Sequence, residues 1–125
     1  MAILRLMPNK VYEYNGCSTC RKALKWLERK GTDYKVIPIR ETPPKRTELR
    51  RMLKSYKGNI RKLFNTSGAD YKKLNLKDNL SKLSEAQLID MLNTNGNLIK
   101  RPFVINKKGG VVGFKEDEWA NFFDL

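Results

Sequence analysis

The stretch YNGCSTCRKALKWLERK, Tyr14 to Lys30, holds the only two cysteines of the chain, Cys17 and Cys20. Asn15-Gly16 is a turn signal, and the residues before it, Lys10–Tyr14 (KVYEY), read as a short strand. A helix is expected from about Ser18 to Lys30, stopped at Gly31. Its apolar residues Cys20, Ala23, Leu24 and Leu27 recur at i, i+3, i+4 and i+7, which is one face of a helix. Asp33–Ile39 (DYKVIPI) then resumes the strand pattern. Strand, helix and strand in so short a span make a βαβ unit, with parallel strands and a right-handed crossover.

Further along, Thr42-Pro43-Pro44 opens a helix whose Leu49, Met52, Leu53 and Tyr56 share a face. Shorter helices are expected at Ile60–Phe64 and Ala69–Leu74. Ser84 and Gln87 have capping-box spacing and Leu83 and Leu88 that of a hydrophobic staple. The helix they start should run to about Asn93 and close near Gly96. Phe103–Asn106 and Val111–Phe114 read as strands around the hairpin loop Lys107–Gly110, and a last helix from about Glu116 carries Trp119, Phe122 and Phe123. The order is β-α-β, a helical block, then β-β-α. The expected fold is α/β: a thioredoxin-like sheet interrupted by a helical insertion, in a single domain over residues 1–125. The core would lie at about 10–42 and 97–123, and the insertion at about 43–96.

A chain of 125 residues, 40% of them hydrophobic, can bury one real core. No apolar run approaches the ~20 residues of a membrane span. The start, MAILRLMPNK, lacks a long apolar stretch and a small-residue cleavage site, so it reads as an extension rather than a signal peptide. The expected location is cytoplasmic, with no membrane partner. Histidine is absent, which excludes Ser-His-Asp and Cys-His catalysis and His-ligated metals. Two cysteines supply half the usual zinc ligand set, so no metal is expected unless a dimer shares two CxxC pairs. The net charge of +13 favours anionic partners. The excess concentrates between Pro44 and Lys62, in Lys45, Arg46, Arg50, Arg51, Lys54, Lys57, Arg61 and Lys62 against Glu48 alone. An acidic protein surface would suit this stretch. Aromatic residues do not interleave with it as base stacking would want, so nucleic-acid binding is permitted but not indicated.

Cys17–Cys20 could be a redox pair, half of a shared metal site, or two small core residues. A helix beginning just after Cys17 turns unpaired N–H groups and a positive dipole end toward its sulfur. Arg21 and Lys22 add positive charge, and both effects favour a thiolate. Cys20 falls on the inward stripe, sheltered until a mixed disulfide forms at Cys17. An exposed attacker beside a sheltered resolver is the arrangement dithiol exchange requires. Lys100-Arg101-Pro102 precedes the third strand, where a thioredoxin-like order places proline beside the cysteines. Arg101 there would be a planar, bidentate oxyanion donor.

Four motifs occur in order: C-S-T-C-R-K-A from Cys17, N-T-S-G-x-x-Y-K from Asn65, L-I-K-R-P-F from Leu98 and V-G-F-K-E-D-E-W from Val112. Together, over roughly residues 10–123, they resemble the arsenate reductase-related family, the ArsC/Spx group. The resemblance implies a cis proline at Pro102 and a nucleophile at Cys17. It implies oxyanion-binding roles for Arg21 in the cysteine loop and Arg101 before the proline. Positions where the family's arsenate reductases have two further arginines hold Asn65 and Phe114, so Asn65 is the substrate-binding candidate there and arsenate a poor substrate. Cys20 resembles the second cysteine of the redox-sensing Spx regulators. The expected function is a thiol-disulfide oxidoreductase or reductase, with Cys17 as nucleophile and Cys20 as resolving thiol. It would bind no resident cofactor and would take electrons from glutathione and glutaredoxin or from thioredoxin. The alternative is an Spx-like transcriptional regulator that binds RNA polymerase.

Overall fold

Residues 9–125 are described by the structure, a computed structural model; the reading of the first eight residues as an extension lies outside them. Strands β1 (Asn9–Glu13), β2 (Tyr34–Pro38), β3 (Phe103–Ile105) and β4 (Gly110–Val112) form one sheet in the order β2-β1-β3-β4. Helix α1 (Ser18–Arg29) links β1 to β2, which pair in parallel with Val11 opposite Val36. β3 runs antiparallel to β1, Val104 opposite Val11, and β4 antiparallel to β3. The expected βαβ unit and hairpin are therefore present. β1 ends at Glu13 rather than Tyr14 because the Tyr14 carbonyl accepts the Cys17 amide at 3.1 Å and begins the turn. β4 ends at Val112, since Gly113 takes φ 67° and sends its amide to the Pro102 carbonyl at 2.9 Å.

One face of the sheet is covered by α1 and by α6 (Glu116–Phe122). Val11, Ala23, Trp26, Leu27, Val104, Val111 and Trp119 are buried there. Trp26 meets Trp119 edge to face at 6.0 Å, and Trp119 Nε1 donates to the Gly113 carbonyl at 2.9 Å. The other face is covered by the inserted helices α2 (Arg46–Ser55), α3 (Ala69–Lys73), α4 (Leu76–Asn79) and α5 (Glu85–Thr94). They bury Leu49, Met52, Leu76, Leu88 and Leu92 against Tyr12, Ile39 and Phe103. Helix α4 was not expected. Asn75 in the left-handed region (φ 51°) breaks the chain after α3, and Leu76 and Leu80, one turn apart, then both reach the core.

Two polar devices tie the insertion to the sheet, and a third starts a helix within it. The carboxylate of Glu48, 5% exposed, accepts from Tyr12 Oη at 2.6 Å, from Lys10 Nζ at 3.0 Å and from the Lys45 amide at 3.0 Å. Burial pushes this carboxyl up, but the three donors outweigh it and hold Glu48 below the usual carboxylate range. The free edge of β4 is closed by α2: Gly110 N–H donates to Ser55 Oγ and Val112 N–H to Tyr56 Oη, both at 3.0 Å. The Ser84 hydroxyl accepts the Gln87 amide at 3.1 Å and completes the expected capping box. Gly96, by contrast, does not close α5 by a left-handed turn. It opens a 3₁₀ turn (Gly96–Leu98), and a Cβ there would stand 2.1 Å from the Ile39 carbonyl oxygen. Close backbone approach, not a positive φ, is what requires glycine at this position.

Candidate active site

The Asn15-Gly16 turn delivers the chain from the end of β1 to the start of α1. Gly16 lies under the Tyr14 ring, where a Cβ would stand 2.7 Å from Cε2. Cys17 is the N-cap residue of α1, with extended backbone (φ −92°, ψ 107°), and its Sγ accepts the Cys20 amide at 3.2 Å. A Ser, Thr, Asp or Asn oxygen ordinarily fills this role. Here a sulfur fills it, so an otherwise unpaired helix amide points at the thiol. Cys17 is partly exposed and Cys20 is fully buried, both as free thiols. Burial first, and then the hydrogen bond and charge of Cys17, push the Cys20 thiol up to about 12; the Tyr14 backbone amide pulls it down. The site therefore joins a reachable sulfur to a neutral one, sheltered one turn away.

The other candidate residues take different positions. Arg21 is exposed, and its Nη1 donates to the Asn15 carbonyl at 3.0 Å, bracing the cysteine loop. The Arg101–Pro102 bond is cis and Pro102 is buried. The Arg101 guanidinium lies over the Tyr14 ring at 4.6 Å, and that of Arg40 over the same ring at 3.9 Å. Arg101 Nη1 is buried without a hydrogen-bond partner among the described residues. Arg101 lines a cleft of about 460 Å³ together with Thr19 (from between the two cysteines), Thr66, Lys100, Phe114 and Lys115. Asn65 is not among the residues lining it. Its amide donates to the Leu98 carbonyl at 2.8 Å, and its side chain packs on Gly68, where a Cβ would be 2.7 Å from Nδ2. Phe114 stacks edge to face on Trp119 at 5.0 Å and on Trp26 at 6.0 Å, so that position serves packing. Among the described residues no cluster of three or more Cys, Asp or Glu could hold a metal ion.

Sequence reading missed two neighbours of this site. The first is Tyr14, which gathers the guanidiniums of Arg40 and Arg101 by cation–π stacking; a tyrosine abutting the turn was the available signal. The second is Glu13, buried at 9% exposure. Its signal was an acid within KVYEY, a strand whose neighbours require apolar faces on both sides.

Sequence and structure comparisons agree with this geometry. The profile of the ArsC family matches residues 12–122. The uncharacterized protein YusI of Bacillus subtilis is 44% identical over 108 residues, covering 86% of this chain and 92% of YusI. The global transcriptional regulator Spx of Listeria innocua is 31% identical over 112 residues, covering 90% of this chain and 84% of Spx. The crystal structure of an ArsC family related protein from Bacteroides fragilis superposes with a TM-score of 0.85 at 38% identity, covering 92% of this chain and 97% of that one. Sequence profile, relatives and sheet order converge, and the chain belongs to the ArsC family.

Proposed function

We propose that the protein is a thiol-disulfide reductase in which Cys17 attacks and Cys20 resolves. The observation that carries this reading is Cys17 Sγ at the N-cap of α1, held at 3.2 Å by the Cys20 amide while Cys20 itself is buried. Helix amides directed at a sulfur favour its thiolate. The thiolate attacks a substrate disulfide, one substrate thiolate leaves, and the other half stays bound to Cys17. Cys20 then attacks Cys17 Sγ and releases the second substrate thiolate, leaving a Cys17–Cys20 disulfide. Glutathione with glutaredoxin, or thioredoxin, returns the two electrons. The free Nη1 of Arg101 offers a donor for an anionic group on the substrate, and Arg21 keeps the loop in place. Pro102 borders the incoming chain, and Asn65 shapes the loop leading to Thr66.

Arsenate is a poor substrate in this reading. An oxyanion beside an attacking thiolate needs strong positive stabilisation, and losing one donor commonly costs on the order of 10²–10³ in rate. Steady-state turnover of a small disulfide and of arsenate, each with both electron donors, tests the assignment. Disulfide turnover well above arsenate turnover supports it; efficient arsenate reduction or no disulfide turnover contradicts it.

One observation favours a second reading, an Spx-like regulator that docks on RNA polymerase. The similarity to Spx spans 90% of the chain, and Lys45, Arg50, Lys54, Lys57 and Lys62 are exposed along and after α2. Arg51 is committed to the fold, donating to the Asn106 carbonyl at 3.2 Å. Reversal of Arg50 and Lys54 to Glu should abolish a salt-sensitive pull-down of RNA polymerase if this reading holds, and leave thiol reactivity unchanged.

A further inference from the structure

The cleft beside the cysteines has a neighbour. Arg61 and Thr66 line that cleft, and they also line a second cavity of about 340 Å³. The two cavities therefore abut across the 3₁₀ turn Ile60–Leu63 and the loop after it. Phe64 lines the first and Tyr71 the second, and their rings pack at 6.0 Å along the same junction.

The second cavity is completed by Lys72, Asn75 and Lys77. Asn75, at φ 51°, breaks the chain between α3 and α4, and this turn brings Lys72 of α3 and Lys77 of α4 to one cavity. Tyr71 is buried, and its hydroxyl accepts from Arg61 Nη1 at 3.3 Å, which holds the guanidinium at the junction. Three cations thus meet here, and none of them joins an ion pair found among the described residues. No carboxylate lines the cavity. Asp70, the acid of α3, accepts from Asn95 Nδ2 at 3.0 Å instead. Like charges gathered without a counter-charge repel, and a bound anion relieves the repulsion.

The lining also selects among anions. The end of an amino acid or peptide brings an ammonium with its carboxylate, and an ammonium taken from water needs a partner of opposite charge. The second cavity offers none. In the first the only acid is Glu118, whose oxygens face Tyr56 Oη at 3.5 Å and Lys115 Nζ at 3.9 Å. A phosphate monoester carries about two negative charges at neutral pH, with three strong acceptor oxygens and no ammonium. Guanidinium and ammonium groups hold it by charge-assisted hydrogen bonds.

We infer that the second cavity is a phosphate subsite, and that the substrate is a small disulfide bearing a phosphate monoester remote from its sulfur. This rests on the disulfide chemistry proposed above and names its substrate class. The disulfide reaches Cys17 past Thr19 and Arg101, and the phosphate lies among Arg61, Lys72 and Lys77.

Turnover of 4′-phosphopantetheine disulfide and of pantethine, the same disulfide without phosphates, tests this at fixed ionic strength. KM should be about tenfold lower for the phosphorylated form with kcat alike, because the phosphate binds away from the reacting sulfurs. Lys72→Gln/Lys77→Gln should bring the ratio of the two KM values to about one. Lys107→Gln/Lys108→Gln, on the exposed hairpin loop, removes the same charge and should leave the ratio as it was. Equal KM values in the unmodified protein, or the same loss in both variants, would overturn the subsite. Binding separates the subsite from the chemistry. Titration of 4′-phosphopantetheine into the reduced protein should shift the amide resonances of Lys72, Asn75 and Lys77, and pantetheine should not. Those shifts without turnover of either disulfide would refute the assignment of Cys17 and uphold the subsite; turnover without the shifts would do the reverse.

Discussion

Over one face of the sheet, α1 and α6 bury an aromatic cluster around Trp26 and Trp119, while over the other α2 and α5 bury a larger core that includes Leu49, Met52 and Leu92. Each face also holds one buried carboxylate. On the insertion side Glu48 is satisfied by Tyr12, Lys10 and the Lys45 amide. On the cysteine side Glu13 has no ion-pair partner among the described residues, and burial holds its carboxyl above the usual carboxylate range. A satisfied buried charge fixes structure, whereas an unpaired one is held at a cost to stability. The insertion side thus anchors the sheet, while the cysteine side presents the reachable sulfur of Cys17.

The sharpest way to break this division is to remove Cys17. Cys17→Ser should abolish disulfide turnover with little loss of stability. Cys20→Ser should stop at a mixed disulfide, seen as a mass increase on Cys17. Next in size is Glu48→Ala, expected to destabilise by about 3 kcal/mol, because Tyr12 and Lys10 lose a buried acceptor; denaturant unfolding checks this. Gly96→Ala should cost about 2 kcal/mol through its clash with the Ile39 carbonyl. Smallest is Tyr14→Leu, which should raise KM for an anionic disulfide roughly fivefold by releasing Arg101, with rescue by Tyr14→Phe.

Titration separates the two carboxylates by sign. The folded-state value of Glu48 lies below its unfolded value. Its stabilisation is present above the unfolded value of about 4.3 and is lost as pH falls through the folded one. Glu13 is raised, so its protonated form favours the fold, and stability falls as pH rises from the unfolded value through the folded one. Glu48→Gln should therefore destabilise at pH 7 and flatten the acid limb of the stability curve, whereas Glu13→Gln should stabilise at pH 7. Equal effects of the two variants would erase the distinction.

Local rules carried most of the architecture. The period of Cys20, Ala23, Leu24 and Leu27, the Asn15-Gly16 turn and the Ser84–Gln87 box each act within one turn of chain, and each forms where expected. The helix before Gly96 closes where expected, but the packing of Gly96 on the Ile39 carbonyl was hidden because the two are distant in sequence. The stacking of Arg40 and Arg101 on Tyr14 was hidden for the same reason: it joins three segments that meet only after the sheet has formed. Glu13 was legible in part, since an acid in a central strand is anomalous. Its burial depends on the crossover of α1.

Differential alkylation tests the assignment of the two sulfurs most directly. Reduced protein is treated with limiting iodoacetamide at pH 7, digested and mapped by mass. Cys17, partly exposed with its sulfur facing a helix amide, should be labelled almost completely before Cys20, which is buried and whose thiol is pushed up to about 12. Labelling of Cys20 first, or of both at equal rates, would contradict the assignment of attacker and resolver.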